Sequence, residues 1–288
     1  MKEKFLSLRK TEPHLENNIL FFKDAFFVVV KKDYNVKNNY NLGRKVLSGT
    51  SNSNVVFDKN SFFKKNFSRR KVSSIIAGLE FKFFILSEHK KSVYEKIGFF
   101  SSSVLSKFNV FYTHCHSSMA VKAILSSNPK VVYNTETRPL FQGRKTALEL
   151  SAGVVVKHFV DSYFASIIPK VDVVVLGCDE ITEDGRIVNK IGTKSIVIIA
   201  EKFGIPVFFV ADSFKLKLYS SSIGDSDLVE FRSKSEVWNI NKKNLFVYNP
   251  AFEVVDLKEF GNVKIIFEEG VVSIGEFVSI AKNKLLGL

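Results

Sequence analysis

The stretch VDVVVLGCDE, at residues 171–180, decides the fold class that the sequence predicts. An apolar run, Val171–Leu176, is followed at once by a glycine, a thiol and two carboxylates. Runs of this kind are typical of strands in a parallel sheet that is covered on both faces. Four further β-branched or aromatic runs are predicted strands: Phe108–Thr113, Lys130–Thr135, Val154–Val160 and Pro206–Ala211.

Helical stretches alternate with these strands. They are predicted near Ser117–Ser127, Gln142–Ala152, Ser162–Ile168 and Thr193–Phe203. Such alternation favours a doubly wound α/β domain, and the later runs Asn244–Tyr248 and Val263–Phe267 are candidates to extend its sheet. We therefore predict a Rossmann-like α/β catalytic domain over residues 107–288.

Residues 1–106 are predicted to form a separate, mostly helical and basic domain. Apolar residues recur at helical spacing from Arg69 to Tyr94, and a second helix is predicted around Ile97–Lys107. The segment 31–68 is rich in Asn, Ser and Lys and indicates an irregular insertion. Residues 1–100 carry 20 basic and 9 acidic side chains, against 22 and 20 in the rest, so most of the net charge of +13 lies there.

Composition excludes several classes of protein. With 45% hydrophobic and 25% charged residues, the chain is neither disordered nor collagen-like. No apolar run approaches the roughly 18–20 residues of a membrane helix, and the start MKEKFLSLRK lacks the apolar segment of a signal peptide. We therefore expect a cytoplasmic protein without a membrane partner. Two cysteines are too few for a disulfide framework or a four-cysteine zinc site.

The basic excess raises the question of nucleic-acid binding, because clustered Lys and Arg neutralise phosphates. Only 8 of the 42 basic residues are Arg, and the abundance of Lys, Phe and Asn is typical of an A/T-biased genome. A solvated surface is favoured over a nucleic-acid partner.

Every predicted strand is followed by a polar or ionisable group, and ligands bind at the carboxyl ends of strands in such sheets. Cys115 is either a buried small side chain or a thiol whose pKa is lowered by helix amides. Asp179 is either a turn carboxylate or a general acid/base that faces Cys115. His114 and His116 flank the thiol, but adjacent strand residues point to opposite faces, so no metal is expected.

Two further segments favour anion binding. Lys190 and Gly192 precede the predicted helix that starts at Thr193, whose first amides suit a phosphate. Arg138 either binds a phosphate through its guanidinium or forms a surface salt bridge with Glu136. No cofactor is expected.

Several ordered motifs resemble the sugar-phosphate isomerase and initiation factor 2B family: THCHSS (113–118), ETRPLFQG (136–143), GCDEI (177–181) with NKIGT (189–193), and NPAFEV (249–254). That family includes ribose-1,5-bisphosphate isomerases, methylthioribose-1-phosphate isomerases and regulatory subunits of an initiation-factor exchange complex. The similarity runs from about residue 97 to the C-terminus, with a faint start at residues 9–13. Regulatory subunits lack the cysteine, so Cys115 together with Asp179 indicates an enzyme.

The resemblance implies that ribose 1,5-bisphosphate is converted to ribulose 1,5-bisphosphate in nucleoside-monophosphate salvage in archaea. Cys115 and Asp179 would be the acid–base pair that moves a proton from C2 to C1. By the same resemblance, substrate is held by Arg9, Arg138, Gln142, Asn189, Lys190 and Lys215. A homo-oligomer, dimer or hexamer, and activation by AMP are also implied. Two alternatives stay open: a non-enzymatic regulatory subunit, and isomerisation of methylthioribose 1-phosphate.

Overall fold

The computed structural model describes residues 88–220 and 223–287. The predicted irregular insertion at 31–68 and Arg9 lie outside these residues, as does most of the predicted helix from Arg69 to Tyr94. The described residues from Ser92 onward belong to one compact unit. The domain boundary at 106/107 stays a prediction.

Within these ranges, eleven strands form two sheets. In chain order they are β1 (Val110–Thr113), β2 (Val131–Thr135), β3 (Val155–Phe159), β4 (Val173–Gly177), β5 (Glu180–Thr182), β6 (Arg186–Lys190), β7 (Val207–Val210), β8 (Leu216–Lys217), β9 (Phe252–Asp256), β10 (Val263–Phe267) and β11 (Gly270–Val272). The larger sheet has the order β11-β10-β7-β4-β1-β2-β3. All its pairs are parallel except β10–β11. The five predicted strands and the run Val263–Phe267 are confirmed.

The smaller sheet, of order β8-β5-β6-β9, was not predicted. β5 and β6 form an antiparallel hairpin in which Ile181 lies opposite Ile187. The turn Glu183-Asp184-Gly185 joins them, with Gly185 at a φ of 88°. The three residues of β5 begin with a carboxylate, so the sequence reads as a loop although all three are buried.

Seven helices are described: α1 (88–105), α2 (Ser118–Ser126), α3 (Gln142–Ser151), α4 (Phe164–Ile167), α5 (Thr193–Lys202), α6 (Asp225–Leu228) and α7 (Ile274–Leu286). α1 is continuous across the predicted break between Tyr94 and Ile97. The helix predicted at Ser162–Ile168 is instead one short α-helical turn between two 3₁₀ turns, the second of which contains Pro169. Proline lacks the amide that a continuing helix needs.

The prediction of a strand at Asn244–Tyr248 was wrong. The segment makes one isolated bridge, between Lys242 and Leu245. Phe246 and Tyr248 are 77% and 72% exposed, so its aromatic residues do not enter the core. Alternating aromatic and β-branched residues predict a strand only where a neighbouring strand receives them.

The larger sheet is buried on both faces. Val174 and Leu176 of β4 pack in one apolar cluster with α5 and α7, whereas Val173 and Val175 pack in a second cluster with α1, α2 and α3. Every residue of β4 and β7 is buried. This confirms the mixed α/β fold with a parallel sheet. Within 88–220 and 223–287, no helix combines the length and apolar character required to cross a membrane.

Candidate active site

The carboxyl ends of β1, β2, β3, β4 and β7 lie at the same edge of the sheet, because these strands are parallel. Cys115 occupies the loop after β1 and is partly buried. Its φ is 64°, in the left-handed region that non-glycine residues rarely adopt. Cys115 therefore lies in a loop with a strained backbone, beyond the regular end of β1.

Burial raises the pKa of the Cys115 thiol to about 11, and the negative charges of Asp179 and Asp161 act in the same direction. The positive charge of Lys190 opposes them. These electrostatic contributions indicate that Asp179, the other predicted catalytic residue, and Lys190 lie near Cys115. The expected lowering of the thiol pKa by helix amides was wrong, because desolvation outweighs it. At neutral pH the thiol is protonated and suited to donate a proton.

Lys190, the last residue of β6, is an unusual buried cation. It is only 3% exposed, and its ammonium lies 5.0 Å from the centre of the Phe252 ring. Among the residues that the structure describes, it forms no ion pair. A buried charge without a counter-ion is costly, so Lys190 is the group best suited to meet an anionic ligand.

The start of α5 does not have the free amides that the sequence predicted for a phosphate. Glu253, on β9, accepts a hydrogen bond from the Lys194 amide at 2.9 Å. The amides of Gly192 and Thr193 also favour its carboxylate form, although burial leaves the Glu253 pKa raised. A side chain from the NPAFEV motif thus occupies the helix start, and this part of the anion-site prediction needs correction.

His114 connects the thiol loop to the segment around Lys190. Its Nε2 lies 3.0 Å from the Ile191 carbonyl, and its Nδ1 lies 2.9 Å from the Thr135 hydroxyl. Burial lowers the pKa of His114, so Nε2–H donates to Ile191 while Nδ1 accepts from Thr135. A Cβ atom at residue 192 would lie 3.2 Å from His114 Nε2, so Gly192, with a φ of 101°, permits this close approach.

Gln142 begins α3, and its buried Oε1 has no hydrogen-bond partner in the described part of the chain. An unsatisfied buried acceptor is costly, and a hydroxyl group of a ligand would satisfy it. Gly143 fixes the position of Gln142: a Cβ atom there would lie 1.8 Å from the Thr135 carbonyl oxygen. The start of α3 therefore rests directly on the end of β2.

Three other predicted binding residues differ in burial and in their contacts. Asn189 is buried, and its amide donates to the Thr193 hydroxyl at 3.0 Å. Lys215 follows β7 and lowers the pKa of the neighbouring Cys178 thiol, which burial raises overall. Arg138 is exposed and stacks on the Phe141 ring at 4.9 Å. The alternative salt bridge from Arg138 to Glu136 is not formed, because Glu136 pairs with Arg144 at 3.6 Å.

The residues that hold Cys115 were not predicted from the sequence. Thr137 Oγ1 accepts from the Cys115 amide, and Thr146 Oγ1 donates to the Cys115 carbonyl. Asp161 accepts from two amides of the Thr137 loop. Asp161 does follow a predicted strand, which was the one available signal. In the ranges described, no group of three His, Cys, Asp or Glu side chains is arranged to hold a metal ion.

Comparison with known proteins identifies relatives of this chain. A profile of the Initiation factor 2 subunit family matches residues 64–273. The ribose 1,5-bisphosphate isomerase of Thermococcus kodakarensis is 32% identical over 210 residues, which is 67% of this chain and 64% of that protein. The ribose 1,5-bisphosphate isomerase of Methanocaldococcus jannaschii is 35% identical over 185 residues, 62% of this chain and 59% of that protein. The chain thus spans less than two thirds of the length of either relative.

A solved structure supports the fold. The 5-methylthioribose 1-phosphate isomerase of Pyrococcus horikoshii superposes with a TM-score of 0.64. The superposition covers 79% of this chain and 68% of that one, at 24% sequence identity.

Proposed function

Because the chain belongs to the Initiation factor 2 subunit family, we propose that it is an aldose–ketose isomerase of a phosphorylated pentose. One observation carries the proposal: the carboxylate of Asp179 and the buried ammonium of Lys190 both act on the protonated thiol of Cys115, in the loop that follows β1. These are the groups that such a reaction needs, and it needs no metal or nucleotide cofactor.

The proposed substrate is ribose 1,5-bisphosphate, and the product is ribulose 1,5-bisphosphate. Two relatives that carry the name of this activity are 32% and 35% identical to the chain. The reaction would belong to nucleoside-monophosphate salvage, with AMP as an activator. We also propose a homo-oligomer, which light scattering of the purified chain would test.

The proposed mechanism moves one proton from C2 to C1 of the sugar. The bond between C1 and the ring oxygen opens, the ring oxygen gains a proton, and the C2 hydroxyl gives up its own to become the ketone. We assign removal of the C2 proton to Asp179 and protonation of C1 to Cys115. A thiol with a pKa of about 11 is protonated at neutral pH, so it can donate a proton but cannot accept one.

Lys190 would bind a phosphate and offset the negative charge that develops on the C2 oxygen as its hydroxyl loses a proton. The buried Oε1 of Gln142 would accept a hydrogen bond from a sugar hydroxyl. Further contacts to the substrate would come from Asn189, Lys215 and Arg138. Arg9 would bind the second phosphate.

A direct assay tests the proposal. Purified protein, with and without AMP, is incubated with ribose 1,5-bisphosphate, and the ketose is measured; methylthioribose 1-phosphate is tested in parallel. We expect the higher kcat/KM on the bisphosphate. A preference for methylthioribose 1-phosphate would correct the substrate but keep the reaction class. No turnover of any pentose phosphate, together with salt-sensitive co-purification with initiation factor 2, would instead favour a regulatory subunit.

A further inference from the structure

Cys115 and Thr137 share an uncommon backbone conformation. Their φ angles are 64° and 61°, both in the left-handed region. Residues with a side chain persist there only where surrounding contacts hold them. The contacts that maintain this conformation at Cys115 therefore also determine where its thiol points.

Two hydroxyl groups hold the peptide groups of Cys115. The Cys115 amide donates to Thr137 Oγ1 at 2.9 Å, and the Cys115 carbonyl accepts from Thr146 Oγ1 at 2.7 Å. Neither hydrogen bond is part of the regular backbone pattern of a helix or a sheet. The orientation of the thiol loop thus depends on side chains from the β2 loop and from α3.

A carboxylate in turn holds Thr137. Asp161 Oδ1 accepts from the Thr137 amide at 2.7 Å, and Asp161 Oδ2 accepts from the Arg138 amide at 2.6 Å. Thr137 is completely buried. One carboxylate that binds two consecutive amides fixes the orientation of both, so Asp161 sets the conformation from which the Thr137 hydroxyl reaches Cys115.

We propose that Asp161 and Thr137 are positioning residues, which hold Cys115 in its left-handed conformation and so direct its thiol toward the substrate. The proposal rests on the isomerase function proposed above for its kinetic consequence. The chemical reactivity of the thiol tests it independently of any turnover. The charged groups that act on this thiol are Lys190, Asp179 and Asp161.

The experiment compares Thr137→Val, which removes the hydroxyl but keeps the shape, with Thr137→Ser, which keeps the hydroxyl. Ser127→Ala is the matched control, because it deletes a buried hydroxyl that donates to the Ala123 carbonyl at the end of α2, away from the site. Each protein is treated with iodoacetamide across a pH series, and labelling of Cys115 and Cys178 is followed by peptide mass spectrometry. Thermal unfolding, kcat and KM are measured alongside.

In Thr137→Val we expect Cys115 to react about tenfold faster near pH 8, because release from its buried position lets the thiol pKa fall from about 11 toward its ordinary value. Cys178 should stay protected. We expect kcat to fall about 10–100-fold while KM stays within about threefold of wild type. Thr137→Ser should keep the Cys115 labelling rate and kcat close to those of wild type. Ser127→Ala should change only the thermal stability.

Three results would overturn the proposal: unchanged Cys115 reactivity in Thr137→Val, equal damage in Thr137→Ser, or labelling of both cysteines in step with reduced stability. If Thr137→Val does not fold, Thr137→Ala gives the same readouts, because it also removes the hydroxyl that accepts from the Cys115 amide and changes no charge near the thiol. If wild-type protein turns over no sugar phosphate, the labelling results still decide the positioning role.

Discussion

Cys115 and Cys178 follow two neighbouring parallel strands, β1 and β4, yet their surroundings differ. Cys178 is 5% exposed, and its thiol donates to the Glu180 carbonyl at 3.3 Å, where the chain enters the smaller sheet. Cys115 is partly buried in a left-handed loop near Asp179 and Lys190. Burial raises the pKa of both thiols. Both thiols follow a strand and both have charged neighbours, so the differences between them are backbone conformation and exposure.

The largest expected effect separates the two thiols. Cys115→Ser should lower kcat by about 10²–10⁴-fold, because a serine hydroxyl is a much weaker acid than a thiol. Cys178→Ser should stay within about threefold of wild type, since its hydroxyl can still donate to the Glu180 carbonyl. Steady-state assays with circular dichroism as a folding control measure both. Equal losses in the two variants would end the distinction between the cysteines.

Asp179→Asn tests the partner of Cys115. We expect kcat to fall about 10²–10³-fold, because an amide cannot accept the C2 proton. Asp172→Asn is the matched control: Asp172 accepts from the Asn109 and Val110 amides at the opposite edge of the sheet. That variant should unfold at a lower temperature yet retain its kcat. Retention of full activity in Asp179→Asn would remove Asp179 from the mechanism.

Lys190→Met sharpens the contrast between a site cation and a structural one. We expect KM to rise about 10–100-fold, since the proposed anion partner is lost, while the unfolding temperature rises because a buried unpaired charge is removed. Lys217→Met should show the opposite change in stability, because Lys217 pairs at 3.2 Å with Glu180, which is fully buried. Differential scanning calorimetry of both variants, with and without phosphate, measures this. A lower unfolding temperature in Lys190→Met would contradict the assignment.

The smallest expected effect concerns His114. Burial lowers the pKa of His114 below the ordinary 6.5. Below about pH 6.5, His114 therefore binds a proton in the unfolded chain but not in the folded chain. Stability from this group is present above that pH and is lost as the pH falls. His114→Gln, which can still donate to the Ile191 carbonyl, should show a shallower loss of unfolding temperature between about pH 7 and pH 5. An unchanged slope would show that His114 titrates normally.

The larger sheet could be predicted because each of its central strands carries its own apolar signal. Val171–Leu176 needs no partner to be recognised as buried. The smaller sheet has no such signal, since β5 has three residues and begins with Glu180. Tyr248 shows the reverse error: a residue with high strand preference lies exposed where no neighbouring strand is available.

The same distinction applies to the site. Cys115 and Asp179 could be selected because each follows a predicted strand, and Lys190 because it precedes a predicted helix; both are properties of local sequence. Thr137 and Glu253 act through contacts with residues far away in the chain, at Cys115 and at the start of α5. Only tertiary structure brings these partners together. The direction of the Cys115 pKa shift likewise depends on burial, which a strand-end rule does not contain.

Gly143 provides a way to classify other sequences of this type. Its missing side chain lets α3 start in contact with the Thr135 carbonyl, and that contact sets the place of Gln142. A chain with a larger residue at the equivalent position must separate α3 from β2, so its glutamine would not reach the same point. A glycine directly after the glutamine is therefore a better criterion for the proposed sugar contact than the glutamine alone.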